Sequence, residues 1–248
     1  PECIEAVDRL TNLYELLKIN GYDKYVSFDL GELSNHTYYT GIIFHAFTFG
    51  TGEPIASGGR YDKLLGQFGC DKASIGFSLI IDRLMAAINR QNIEIEVEYS
   101  GVLLVYSEDK LQILPIKLCY VSNTFINVSK YYQGRLKENT VIGAELIDDA
   151  SIDADYEIIC MVIDCMKNAG LTEFQVELGN VAFFNGLLKD AGIKGDTYEE
   201  LLNLINEKNY IGVEEILNNL NIDKNTAKVL LELPQLFGQA EVLDKARS

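Results

Sequence analysis

Apolar residues recur at Ile4, Val7, Leu10, Tyr14 and Leu17, a helical spacing that Asn20-Gly21 closes as a C-cap. The pattern then changes period. Residues 25–30 read as a short strand and residues 38–49 as a long one, with Ile42, Phe44 and Ala46 on one face and Ile43, Phe47 and Phe49 on the other, so this strand is expected inside a sheet covered on both sides. Gly50, Gly52 and Pro54 mark a hairpin turn, and residues 74–79 run as a strand into a helix carrying Ile80, Ile81, Leu84, Met85 and Ile88. Residues 102–106, 116–125, 141–147 and 174–178 read as further strands, and 153–168 as a helix with Tyr156, Ile159, Cys160, Ile163 and Met166 on one face. After Gly179 the strand signals stop. Four or five short helices follow, broken at Gly192, Gly195, Asn209, Asn221 and Pro234, and predict a helical subdomain over 180–248. The expected class is α+β, with an antiparallel sheet of about six strands flanked by helices.

Composition narrows the class of function. The chain has 248 residues, 48% of them hydrophobic, enough for one domain with a small appended one. No apolar run approaches the roughly 18 residues that span a bilayer, and residues 1–5 lack the basic and apolar regions of a signal peptide, so no membrane is expected and the cytoplasm is the default. Five cysteines at irregular spacings predict neither a disulfide framework nor a metal site and read as apolar fillers. With 37 acidic against 21 basic side chains, the chain repels polyanions. Nucleic acid is therefore an unlikely partner on composition, and another protein is permitted.

The candidate chemistry lies in Tyr38-Tyr39-Thr40-Gly41-Ile42-Ile43-Phe44 and in Ser57-Gly58-Gly59-Arg60-Tyr61-Asp62. In the second, the two glycines read as a turn that lets backbone approach a ligand. Tyr39 and Tyr61 offer rings with polar tips, and Arg60 can fix a carboxylate bidentately. His36 and His45 show no triad or metal constellation and read as structural.

These two segments resemble the amino-acid pocket of histidyl-tRNA synthetases, a family of the class II synthetase fold. Ala73-Ser74-Ile75-Gly76-Phe77-Ser78-Leu79 with Asp82-Arg83-Leu84 is similar to the third class II motif. Lys117-Leu118-Cys119-Tyr120 through Phe125 is similar to the start of the second, and Gly143-Ala144-Glu145-Leu146 to the strand that gives a glutamate to the histidine. The resemblance implies a histidine-binding set of Tyr39, Arg60, Tyr61 and Glu145, with no metal and no cofactor.

The family order is inverted here: residues 111–248 would precede 1–110. The expected organisation is thus 1–110 as the C-terminal half of the synthetase-like domain, 111–179 as its second-motif half, and 180–248 as the helical subdomain. A circular permutation and two stretches of one protein set in reverse order both account for this. The absence of the first motif favours the second account.

Adenylation needs cations over the α-phosphate. By the resemblance, the second-motif arginine falls on Ile126, the acidic residue after it on Val128, the arginine that contacts the histidine carboxylate on Ser34, and a glutamine for the α-amino group on Val141; Arg83 keeps the third-motif arginine. A pocket without those arginines resembles the regulatory subunits of ATP phosphoribosyltransferase. Phe28-Asp29-Leu30-Gly31-Glu32-Leu33, Val176-Glu177-Leu178-Gly179-Asn180 and Phe183-Phe184-Asn185-Gly186-Leu187-Leu188 carry that likeness. It implies a non-catalytic chain of histidine biosynthesis that partners short-form catalytic subunits, takes histidine as effector and self-associates. The alternative is a histidyl-tRNA ligase.

Overall fold

The computed structural model describes residues 2–32, 38–94, 115–125, 138–206, 208–220, 222 and 224–247. Among the described residues, eight strands form one sheet: β1 (Val26–Asp29), β2 (Ile42–Thr48), β3 (Ala56–Arg60), β4 (Ser74–Ile80), β5 (Ile116–Phe125), β6 (Glu138–Ile147), β7 (Phe174–Asn180) and β8 (Phe237–Gly238). Their order across the sheet is β5-β6-β4-β3-β2-β7-β1-β8. Every pairing is antiparallel except β1 with β7. The expectation of about six antiparallel strands is corrected to eight with one parallel pair.

Helices α1 (Glu2–Ile19) and α3 (Ile152–Asn168) pack against one another behind the sheet. The apolar stripe of α1 buries Val7, Leu10, Leu13 and Leu17, and that of α3 buries Ile158, Ile159, Val162, Ile163 and Met166. They meet the inward row of the strands, Ile42, Phe44, Ala46, Ile75, Phe77 and Leu79. Ser151 caps α3, its Oγ accepting from the Ala154 N–H. Helix α2 (Ile81–Arg90) continues straight from β4.

Strand β2 begins four residues later than the periodicity suggests, so Tyr38 and Tyr39 precede it in irregular chain. Gly58 and Gly59 do not form the expected turn; they are consecutive residues inside β3. A Cβ at Gly59 would lie 2.7 Å from the Ile42 carbonyl oxygen and 2.8 Å from the Tyr39 ring, so the glycine serves close side-chain approach across a strand.

Among the described residues, five α-helices follow β7: α4 (Val181–Asp190), α5 (Asp196–Asn206), α6 (Tyr210–Asn219), α7 (Lys224–Glu232) and α8 (Glu241–Arg247). This stretch is joined to the sheet, because β8 pairs with β1 and the Leu30 N–H donates to the Leu236 carbonyl at 3.1 Å. Leu201, Val213, Leu217, Leu230 and Leu243 belong to the same continuous core as the sheet. Helix α8 lies along α1, where Arg247 pairs with Asp8.

The cysteine expectation needs amending. All five are free, but Cys70 and Cys119 are exposed, so only Cys3, Cys160 and Cys165 pack in part against the core. The strand expected over 102–106, the Lys110-Leu111 juncture, and Ser34, His36, Ile126 and Val128 lie outside the described residues.

Candidate functional site

Strand registers place the site. Ile43, Gly59, Gly76 and Glu145 are aligned across β2, β3, β4 and β6, and His45, Ser57 and Ser78 form the next row on the same face. The glycines leave this face open. The Glu145 carboxylate lies across Gly76, the Tyr39 ring across Gly59, and the Tyr120 ring across Gly143, where an added Cβ would sit 2.5 Å from the phenol. Over this floor is a cleft of about 520 Å³, lined by Tyr38, Tyr39, His45, Tyr61, Tyr120 and Glu145 among others.

Three of the four expected site residues therefore meet. The Tyr61 hydroxyl donates to Glu145 Oε2. Tyr38 stands edge-on to Tyr61, with ring centroids 6.2 Å apart, and 4.6 Å from Tyr39. Burial raises the Glu145 carboxyl above its ordinary range, opposed by the Tyr61 hydrogen bond. Burial also pushes the Tyr39 and Tyr61 phenols upward, and Glu145 adds to the effect on Tyr61 by hydrogen bond and charge. The cleft thus holds a desolvated acid. It is suited to a ligand that brings a cationic or hydrogen-donating end.

Arg60 is elsewhere. It alternates to the opposite face of β3, is 3% exposed, and turns toward α3. Its Nε donates to Asp155 Oδ1 at 2.7 Å and Nη2 to the same oxygen. Nη2 also donates to the Ser151 carbonyl at 3.2 Å, and Nη1 to Asp62 Oδ1 at 3.1 Å and the Asp149 carbonyl at 3.0 Å. All five N–H groups of the guanidinium are used, leaving none for a carboxylate in the cleft. Arg9 donates to the other oxygen of the fully buried Asp155 at 2.6 Å, so two arginines from α1 and β3 share one aspartate of α3. The expected role of Arg60 is corrected to a structural tie. Alternation decides this: Tyr61 follows it in sequence and so points the other way.

His45, read from the sequence as structural, also reaches this cleft. It lines the cleft, with its Nδ1 3.5 Å from Glu32 Oε1. Glu32 is raised to about 7, first by burial and then by the charges of Asp29 and Glu177, with Lys208 opposing. The period-2 reading of β2 already placed His45 on the face of Ile43; only the neighbours across the sheet make that face a cleft. Arg83 pairs with Glu53 and donates to the Pro54 carbonyl at 2.7 Å, at the turn between β2 and β3. No group of three or more metal-ligating side chains occurs among the described residues. Likewise, no described helix is long and apolar enough to cross a membrane.

The model of the family described as histidyl-tRNA synthetase matches residues 1–84 and 107–248, most of the chain. The chain belongs to the histidyl-tRNA synthetase family. Three curated relatives within reach of this synthetase-like sequence are each named ATP phosphoribosyltransferase regulatory subunit. The protein of Ruminiclostridium cellulolyticum is 38% identical over 130 residues, 52% of this chain and 31% of the relative. That of Acetivibrio thermocellus is 35% identical over 134 residues, 53% of this chain and 31% of the relative. That of Clostridium acetobutylicum is 38% identical over 139 residues, 55% of this chain and 34% of the relative. The chain thus spans about a third of the length of the curated relatives it matches. No solved structure matches.

Proposed function

We propose that this chain belongs to a non-catalytic regulatory subunit of ATP phosphoribosyltransferase, which joins and activates short-form catalytic chains in the cytoplasm and carries histidine feedback to them. Tyr39, Tyr61 and Glu145 hold the effector. The observation that carries this reading is the shared name of the relatives within a synthetase family. The cleft adds support, since its open, glycine-floored face joins a desolvated carboxylate to tyrosines at the scale of one small ligand. Feedback follows from linkage: histidine that binds one assembly state more tightly shifts the equilibrium toward it, with a coupling typically of about 1 to 3 kcal/mol. The subunit self-associates within the hetero-oligomer.

Reconstitution tests the proposal. Added to a short-form catalytic chain from the same host, the full-length protein is expected to raise phosphoribosyltransferase activity, and histidine to lower it again. Alone, it is expected to show no histidine-dependent exchange of pyrophosphate into ATP. Exchange above a no-enzyme control, with no stimulation of the catalytic chain, would establish the ligase instead.

A further inference from the structure

With Arg60 committed to α3, an amino acid in the cleft needs another partner for its carboxylate. Among the described residues lining the cleft, His45 is the one side chain able to carry positive charge. It stands on β2 between Ser57 of β3 and Glu177 of β7. Glu32 is 3.5 Å from its Nδ1, and the charges of Asp29 and Glu177 act on Glu32. Lys208 is the opposing cation near these carboxylates, and the Tyr210 phenol faces the same group. With Glu32 raised to about 7, a protonated ring at neutral pH draws its counter-charge in part from Glu32 and in part from Glu177, its cross-strand neighbour.

The spacing suits a single amino acid. The Glu145 carboxylate lies over Gly76 of β4, and His45 stands two strands away on β2 and one row along, roughly 12 Å between the backbones. Between them the floor at Gly59 and Gly76 carries no side chain of its own.

Resting on the effector reading above, we propose that His45, held by Glu32, receives the carboxylate of a zwitterionic amino acid whose cationic end sits at Glu145. His45 is thereby a specificity-determining residue, selecting amino acids over the corresponding amines.

Calorimetry on the full-length protein assembled with its catalytic partner tests this with two probes, L-histidine and histamine, the latter keeping the imidazole and ammonium but lacking the carboxylate. Wild type is expected to prefer histidine by about tenfold or more, the scale of one charge-assisted hydrogen bond. His45→Gln is expected to remove that preference, weakening histidine about tenfold while histamine changes less than about twofold. Glu32→Gln keeps the ring and is expected to reduce the preference partway, which guards against a misfolded His45 variant. A preference unchanged in both variants overturns the inference, as does equal weakening of both probes. Wild type that binds neither probe overturns the effector reading itself, and the inference falls with it.

Discussion

Two charged residues separate the chemistry of this protein from its architecture. Glu145 sits desolvated in the cleft with its carboxyl raised by burial. A carboxyl raised in the folded state is free of penalty below its ordinary value of 4.5, and the stability is lost as pH rises through the folded value. Glu145→Gln keeps an acceptor for the Tyr61 hydroxyl and removes this cost. The unliganded variant is therefore expected to be at least as stable as wild type at neutral pH, with a flatter dependence on pH, while its histidine affinity falls about tenfold. Denaturant midpoints at several pH values and calorimetry measure the two effects. Asp155 behaves in the opposite way. Asp155→Ala leaves Arg9 and Arg60 facing each other without their shared anion, and breaking a buried pair of this kind costs about 3 to 5 kcal/mol, visible in urea unfolding.

At the scale of elements, three glycines in three adjacent strands make the cleft. Gly76→Ala places a methyl against the Ala144 carbonyl oxygen at 2.6 Å and into the Glu145 carboxylate. The carboxylate can swing away, but the backbone of β6 cannot. The variant is expected to lose about 1 to 3 kcal/mol of stability by overpacking and to lose histidine binding with the displaced Glu145. The strand signals for β2, β4, β6 and β7 were legible because their apolar residues are dense or alternate. Strand β3, Ala56–Arg60, was not, since Ser-Gly-Gly carries turn propensity that only pairing on both edges overrides. Strand β8 is two residues long and has no periodicity to read.

For the whole molecule, the sheet and the helices after β7 share one core, so a single cooperative transition is expected on unfolding. Removing residues 233–247 deletes β8 and α8, strips the edge from β1 and uncovers the surface that buries Val242 and Leu243. With Leu233 also removed, and at about 1.5 to 3 kcal/mol for each of these three buried aliphatic side chains, the truncated chain is expected to lose about 4.5 to 9 kcal/mol. Amide exchange at β1 reports the loss locally. The class of fold and most elements were readable from residue order, because periodicity is a local property of the chain; the grouping of tyrosines with Glu145 came from the resemblance to the synthetase family. Which face of the sheet became the cleft and which the core was not. Arg60 went to the core and His45 to the cleft because strand register and the α3 carboxylate, both long-range, decide which charges find partners. Burial, which shifts Glu145 and Glu32, exists only once the sheet has closed over its helices.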